Sequence, residues 1–276
     1  MTLSSQPIGI FDSGVGGLSV LRAIHALLPG QRTIYLADQA HVPYGPRPLD
    51  EVLAFSEGVT RFLLDHGASL IVVACNTASA AALHPLRLKW PEVPFVGMEP
   101  AVKPAAEATH TGVVGVLATP ATFQGALYAS VVERFAHGVT LLQSTCPGLV
   151  GQIEKGQLDH PQTRLILREA IQPMLSAGID TIVLGCTHYP FVIPQIREIA
   201  GADVRVIDPA PAVARQVARL LTENGWLAES AQPGTNEYYT TGDNQRFDQL
   251  AKQLLGVEIQ SRTAQWAASA DGLNLY

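Results

Sequence analysis

Apolar positions along the chain follow two alternating patterns. Short continuous runs have the length and β-branched content of buried strands: Ile8-Gly9-Ile10-Phe11, Thr33-Ile34-Tyr35-Leu36-Ala37 and Leu70-Ile71-Val72-Val73-Ala74. Between them, apolar residues recur every three or four positions. Leu18, Leu21, Ile24 and Leu28 predict a helix stopped by Pro29-Gly30. Val52, Phe55, Val59 and Phe62 predict a second helix over 49–66, ended by Gly67. A glycine-rich turn, Asp12 to Gly17, joins the first strand to the first helix, and a turn-rich segment at 41–48 precedes the second helix. Strands that are apolar on both faces and separated by helices belong to a parallel sheet covered on both sides.

The pattern then restarts. Residues 112–119 read as a first strand again. Leu167, Ala170, Ile171, Met174 and Leu175 form a helical stripe closed by Gly178, and 181–185 is another buried strand. Val213, Val217, Leu220 and Leu221 predict a late helix ending at Asn224-Gly225. A helix-ending glycine, an apolar strand and a cysteine occur in the same order in Gly67 to Cys75 and in Gly178 to Cys186, 111 residues apart. Gly9 and Gly115, in the two first strands, are 106 apart. The coincidence predicts two related α/β halves.

Composition narrows the class. With 276 residues there is room for one large domain or two modest ones. A hydrophobic content of 47% supplies a core, and 15% charged residues argues against a disordered chain or a coiled coil. The net charge of −6 and the lack of a basic run argue against nucleic acid as the main partner. Three cysteines suit a reducing compartment better than a disulfide framework. The first ten residues have no basic residue and no long apolar stretch. No apolar run approaches the roughly 18 residues a membrane helix needs. A cytoplasmic enzyme with no membrane partner is the expectation.

Two of the cysteines directly follow buried strands. Cys75 leads into Asn76-Thr77-Ala78-Ser79, and Cys186 into Thr187-His188-Tyr189-Pro190. In open α/β sheets ligands bind beyond the carboxyl ends of the strands. A helix start there is expected to lower a thiol's pKa through its N–H groups and dipole. A buried free cysteine is often inert, but two in matched positions favour a role. Cys75, Cys186 and His188 make only three metal ligands without a CxxC pair, so no metal site is expected. A redox pair lacks a resolving neighbour, and a single-nucleophile hydrolase leaves one cysteine idle. Proton transfer at a stereocentre uses both: a thiolate removes a proton from one face while a thiol returns one to the other. Cys146 lacks the strand context and reads as structural.

Four motifs, in order, carry a resemblance: Phe11-Asp12-Ser13-Gly14-Val15-Gly16-Gly17-Leu18, Pro43-Tyr44-Gly45, Ala74-Cys75-Asn76-Thr77-Ala78 and Gly185-Cys186-Thr187-His188-Tyr189-Pro190. They resemble the cofactor-independent aspartate/glutamate racemase family, and within it most closely the members that act on glutamate. The resemblance extends to about Gly225; the tail beyond matches no motif. It implies two similar flavodoxin-like domains with parallel sheets, related by a pseudo-twofold, with the active site in the cleft between them. We expect one domain over 1–97 plus 208–276 and the other over 98–207, with crossings at Glu99-Pro100 and Asp208-Pro209.

The resemblance further implies Cys75 and Cys186 as the acid/base pair, with Asp12, Glu154 and His188 in support. It implies that Asp12, Ser13, Pro43, Tyr44, Gly45, Asn76, Thr77, Thr187 and His188 hold the substrate, glutamate. Hydroxyls and turn N–H groups there suit its carboxylates. No cofactor is implied, and a homodimer is allowed. The implied role is supply of D-glutamate for peptidoglycan. Asp38 has a weaker claim on the site, and Thr119 and Thr122, in the position corresponding to the Asp12 turn, either touch the α-carboxylate or cap a helix, with capping the preferred reading. Rival readings are an aspartate or hydantoin racemase and a non-catalytic amino-acid-binding regulator. A dinucleotide site is a further rival, suggested by the glycines and Asp38, but Ser19 stands where the third glycine should fall.

Overall fold

The computed structural model describes residues 6–228, 233–269 and 272–276. The chain begins with β1 (Ile8–Asp12), α1 (Leu18–Leu27), β2 (Thr33–Ala37), α2 (Leu49–Asp65), β3 (Leu70–Val73), α3 (Asn76–Lys89) and β4 (Phe95–Val96). It continues through α4 (Val102–Ala108), β5 (Val113–Ala118), α5 (Pro120–Gln124), α6 (Ala126–Phe135), β6 (Thr140–Ser144), α7 (Leu149–Ile153), α8 (Pro161–Ser176) and β7 (Thr181–Gly185). A short 3-10 turn (Tyr189–Val192) leads into α9 (Ile193–Ala200), β8 (Arg205–Ile207) and α10 (Ala210–Glu223). The last described elements are β9 (Asn236–Thr240), α11 (Asn244–Leu255), β10 (Ser261–Thr263) and a hairpin of β11 (Trp266–Ser269) and β12 (Gly272–Leu275).

Two parallel sheets result. The first has strand order β10-β9-β2-β1-β3-β4, the second β6-β5-β7-β8. Removing β10 and β9 leaves the same order in both, with β1 matched to β5 and β3 to β7. The register agrees with the spacing in the sequence: Gly9 pairs with Ile71 in the first sheet, Gly115 with Ile182 in the second. Both glycines are there for the same reason. A Cβ on Gly9 would meet Ile71, Ala68 and Leu63; one on Gly115 would meet Met174, Ile179 and Ile182. Each neighbour in the second half lies 111 positions after its counterpart in the first.

Successive residues on a strand face opposite sides, and both sides are covered. Ile8, Ile10, Leu70 and Val72 pack with Leu21 of α1 and Val213 and Val217 of α10. Phe11, Ile71 and Val73 point the other way, onto Phe55, Val59 and Phe62 of α2 and Ala78 and Ala82 of α3. In the second sheet, Ile182 and Leu184 face Leu167 and Ile171 of α8, while Val114, Val116 and Val183 face Ala105 of α4 and Val131 of α6. Each fully buried Val, Leu or Ile contributes about 1.5–3 kcal/mol, so the sheets are rigid frames for the loops at their carboxyl ends.

Some elements differ from the sequence reading. The stripe beginning at Leu167 is the second half of a longer helix. Pro161 occupies its first turn, where proline's missing N–H costs nothing, and His160 caps it. The strand at 112–119 is shorter, because Thr119 leaves it to cap α5. The motif-free tail is ordered structure: β9 and β10 extend the first sheet in parallel beyond β2. Among the described residues, no helix is long and apolar enough to cross a membrane.

Candidate active site

Every loop that forms the site leaves the carboxyl end of a strand. β1 delivers Asp12 and the turn to Gly17, and β2 leads to the Pro43-Tyr44-Gly45 loop. β3 delivers Cys75, with Asn76 and Thr77 in the first turn of α3. β5 ends at Thr119, and β7 delivers Cys186, Thr187 and His188. A small cleft is lined by Ser13, Pro43, Tyr44, Gly45, Cys75, Asn76, Thr77, Thr119, Val150, Cys186, Thr187 and His188. Its open space is about 20 Å³, on the order of room for one water molecule. Asp12 and Glu154 stand immediately behind this lining.

Bonds between the halves hold the cleft shut. Thr187 Oγ1 donates to Asp12 Oδ2 at 2.8 Å, and Val15 N to Glu154 Oε1 at 2.8 Å. The Thr77 and Thr119 hydroxyls are 2.8 Å apart, and Ala121 N donates to Gly45 O at 3.3 Å. The glycines of the first turn permit this closeness. A Cβ on Gly14 would collide with the Glu154 carboxylate, and one on Gly16 with the His188 ring. The turn that suggested a dinucleotide site carries Gly14 and Gly16 because two side chains of the other half press against it.

The two thiols sit in unlike surroundings. Cys75 is buried and caps α3, its Sγ accepting from Ala78 N at 3.4 Å. Cys186 is also buried, and its Sγ lies 3.8 Å from His188 Nδ1. On the ring's other side, His188 Nε2 meets Glu154 Oε1 at 2.6 Å. Glu154 also accepts from Gln39 Nε2 at 3.3 Å. Burial alone would neutralise both partners. Hydrogen bonds and opposite charges win: Cys186 and then Glu154 hold His188 well above its ordinary range, and His188, with the Val15 N–H, holds Glu154 below its own. Burial pushes Asp12 up, against the pull of His188 and the Gly14 N–H.

The sequence reading is corrected at the cysteines. A helix start was expected to lower a thiol's pKa. At Cys75 burial outweighs the bond from Ala78 N, Asp12 adds to it, and the thiol is held far above its usual value. After Cys186 there is no α-helix start at all, but a bend and a 3-10 turn; its charged neighbour is His188. Each candidate residue from the sequence lies in the lining or directly behind it, with Asp12 and Glu154 in the second position. Asn76 has both side-chain polar atoms buried and without a protein partner, in the wall of the cleft.

Three residues were undervalued by sequence. Thr119 does cap α5, accepting from Thr122 N at 3.3 Å, but it also lines the cleft and meets Thr77. Its place after β5 matches that of Ser13 after β1, in the turn that begins at Asp12, and that correspondence was the available signal. Val150 gave no signal. Asp38 is fully buried and lies outside the lining, yet it accepts from the Tyr44 hydroxyl at 2.6 Å. Cys146 is buried in the core, and burial lifts its thiol to about 12.

Two related α/β halves, each presenting a cysteine to a shared cleft, define an amino-acid racemase-like class. A family model described as Asp/Glu/Hydantoin racemase matches residues 8–217, and the chain belongs to that family. It is 54% identical over 252 residues to a glutamate racemase from Roseiflexus sp. (strain RS-1), covering 91% of this chain and 93% of that one. Among solved structures, a glutamate racemase from Bacillus anthracis superposes with a TM-score of 0.85 at 33% identity, covering 94% of this chain and 97% of that one. A Francisella tularensis glutamate racemase in complex with D-glutamate gives 0.82 at 28% identity, covering 94% and 97%.

Proposed function

We propose that this protein interconverts L- and D-glutamate by moving the α-proton between two thiols. The observation that carries the reading is that Cys75 and Cys186 enter one cleft from related positions in two halves. Glutamate as substrate is supported by the relatives named above. In the direction that starts at Cys186, its thiolate takes the α-proton and becomes thiol, while the Cys75 thiol gives its proton to the opposite face. The reverse direction exchanges the roles. Net charge and proton count are conserved, and the cysteines end with roles exchanged.

The surroundings suit this chemistry. His188 is within reach of the Cys186 sulfur and is itself held by Glu154. Hydroxyls of Ser13, Thr77, Thr119 and Thr187, together with the unpartnered Asn76 amide, line the space where two carboxylates must be held. Donors fixed in place before the reaction stabilise a carbanion-like transition state better than mobile water does. The closed cleft is too small for glutamate, so the halves must part to admit it and close again to exclude water.

The domain division supported by the sheets is 1–97 plus 208–276 against 98–207. The reading places the protein in the cytoplasm, where its product would serve peptidoglycan synthesis. The test is inversion in D₂O. Reduced protein with L-glutamate should show loss of optical activity together with deuterium at the α-carbon. Inversion of L-aspartate instead would keep the mechanism and change the substrate. No exchange on either would overturn the reading.

A further inference from the structure

The motif-free tail ends in the β11–β12 hairpin, and one of its side chains reaches back toward the cleft. The indole Nε1 of Trp266 donates to Asp38 Oδ1 at 2.7 Å. Thr241, just past β9, donates to the same oxygen at 2.8 Å. The other oxygen, Oδ2, faces the lip of the cleft: Tyr44 OH donates to it at 2.6 Å, and His41 Nδ1 lies 2.8 Å away. Asp38 is fully buried. A carboxylate has about four good acceptor positions, and here two serve the tail and two the lip. Aromatic packing reinforces the tie. The His41 ring stacks on Phe55 at 3.8 Å between centroids, and Trp266 presents its ring edgewise to His41 at 5.3 Å.

We propose that Trp266 is a positioning residue for glutamate binding: its indole N–H fixes the Asp38 carboxylate, which in turn sets the Tyr44–Gly45 lip against the second half. This rests on the glutamate reading above. Trp266 is absent from the lining of the cleft, so its action is through Asp38. Gly45 sits against Thr119, where a Cβ would come within 3.0 Å of that side chain. A small rotation of Asp38 therefore moves a wall the substrate must touch. Losing one donor from a buried carboxylate leaves the others to re-sort around it. A lip that binds substrate and transition state alike changes KM rather than kcat when it shifts.

The test uses the full-length protein. Trp266→Phe keeps the ring packing and removes the N–H. It should raise KM for both enantiomers by roughly tenfold, the loss expected for one bond to a buried charge, with kcat and the thermal midpoint close to wild type. Thr241→Val, which removes the other tail donor, should move KM in the same direction. In Asp38→Asn the added Trp266→Phe change should cost little more, because the route is already cut. In a Trp90→Phe, Trp226→Phe background, emission from Trp266 should change on saturation with glutamate. An unchanged KM in Trp266→Phe and Thr241→Val, or effects of Asp38→Asn and Trp266→Phe that simply multiply, would overturn the proposal while leaving racemisation intact. Wild-type protein that fails to invert glutamate overturns the functional reading and this inference with it.

Discussion

The two halves share a strand order, a register and a cysteine position, yet they surround their cysteines differently. In the first half, Cys75 caps a full α-helix and has one nearby carboxylate, Asp12, with no cation of its own half beside it. In the second, Cys186 precedes a bend and a 3-10 turn and has an imidazole beside it, backed by Glu154. The scaffold places a cysteine on each side of the cleft. What the duplicated scaffold does not supply is the charge around each cysteine. That comes from loop residues that have diverged.

The comparison breaks most severely if either thiol is removed. Cys75→Ser and Cys186→Ser should each cut racemisation by about 10³-fold or more, since a hydroxyl is a poor base and acid at neutral pH. The enantiomers have equal free energy, so kcat/KM must fall equally in the two directions whichever cysteine is changed. Deuterium incorporation without inversion in one variant would show that the remaining thiol still works alone on its own face. Near-wild-type turnover in either variant would remove the two-thiol scheme.

The asymmetry itself is tested at Glu154 and His188. His188→Asn should lower kcat/KM by about 10–100-fold. Glu154→Gln should act through His188. The carboxylate is one of the groups that hold the imidazole's pKa high against burial. Without it the imidazole loses its proton at lower pH, so the alkaline limb of the kcat/KM profile should move to lower pH. The first half has no such pair beside its cysteine, so Asp12→Asn should leave that limb nearer its wild-type place. Profiles of the three variants in both directions decide this.

A third contrast lies in the turns. After β1 the chain reads Ser13-Gly14-Val15-Gly16-Gly17; after β5 it reads Thr119-Pro120-Ala121-Thr122, with no glycine. The difference follows from what leans on each turn, since Glu154 and His188 press on the first. Gly14→Ala or Gly16→Ala should displace those side chains, costing about 1–3 kcal/mol of stability and lowering activity further. A thermal melt beside a rate measurement separates the two effects. Wild-type behaviour in both variants would show that the turn yields freely.

Much of this was legible in the sequence, and the reasons differ by residue. The central strands were visible because they are buried on both faces and therefore continuously apolar. The duplication was visible because glycine, strand and cysteine keep their spacing, and Gly9 and Gly115 are held by equivalent neighbours. β6 was not visible: it is an edge strand with a mixed, half-exposed sequence. β9 was hidden because its meaning lies in pairing with β2, a contact some 200 residues away that leaves no periodic trace, and β10 because it adds onto β9 in turn. At the site, the cysteines and their neighbours in sequence announced themselves. The high pKa of the Cys75 thiol did not, because local rules see the helix start and not the burial around it.

The smallest effect expected comes from a difference far from the cleft. Asp180 and Ser69 occupy matching positions, each just before the third strand of its half. Ser69 N donates to Pro7 O at 3.0 Å, with its hydroxyl on the same oxygen at 3.5 Å, tying it to the segment entering β1. Asp180 does more: its carboxylate accepts from Thr109 Oγ1 at 2.7 Å, His110 N at 2.5 Å, Thr111 N at 2.9 Å and Thr181 Oγ1 at 3.0 Å. It ties down the turn between α4 and β5, where the chain enters the second half's central strand. Burial opposes its charge, but these donors win and hold its pKa well below the ordinary value. A carboxylate with a depressed folded-state pKa gives stability that is present above its unfolded pKa, about 3.9, and is lost as pH falls through the folded value. Asp180→Asn should therefore lower stability at pH 7 by about 1–2 kcal/mol, the scale of hydrogen bonds to a charged group discounted for partial exposure. The gap between wild type and variant should hold from pH 7 to pH 5 and narrow below about pH 4. Racemisation should be unaffected, since the residue lies at the opposite end of β7 from Cys186. Denaturant melts at several pH values test this, and a gap that stays constant down to acid pH would show that the carboxylate's charge is not what holds the turn.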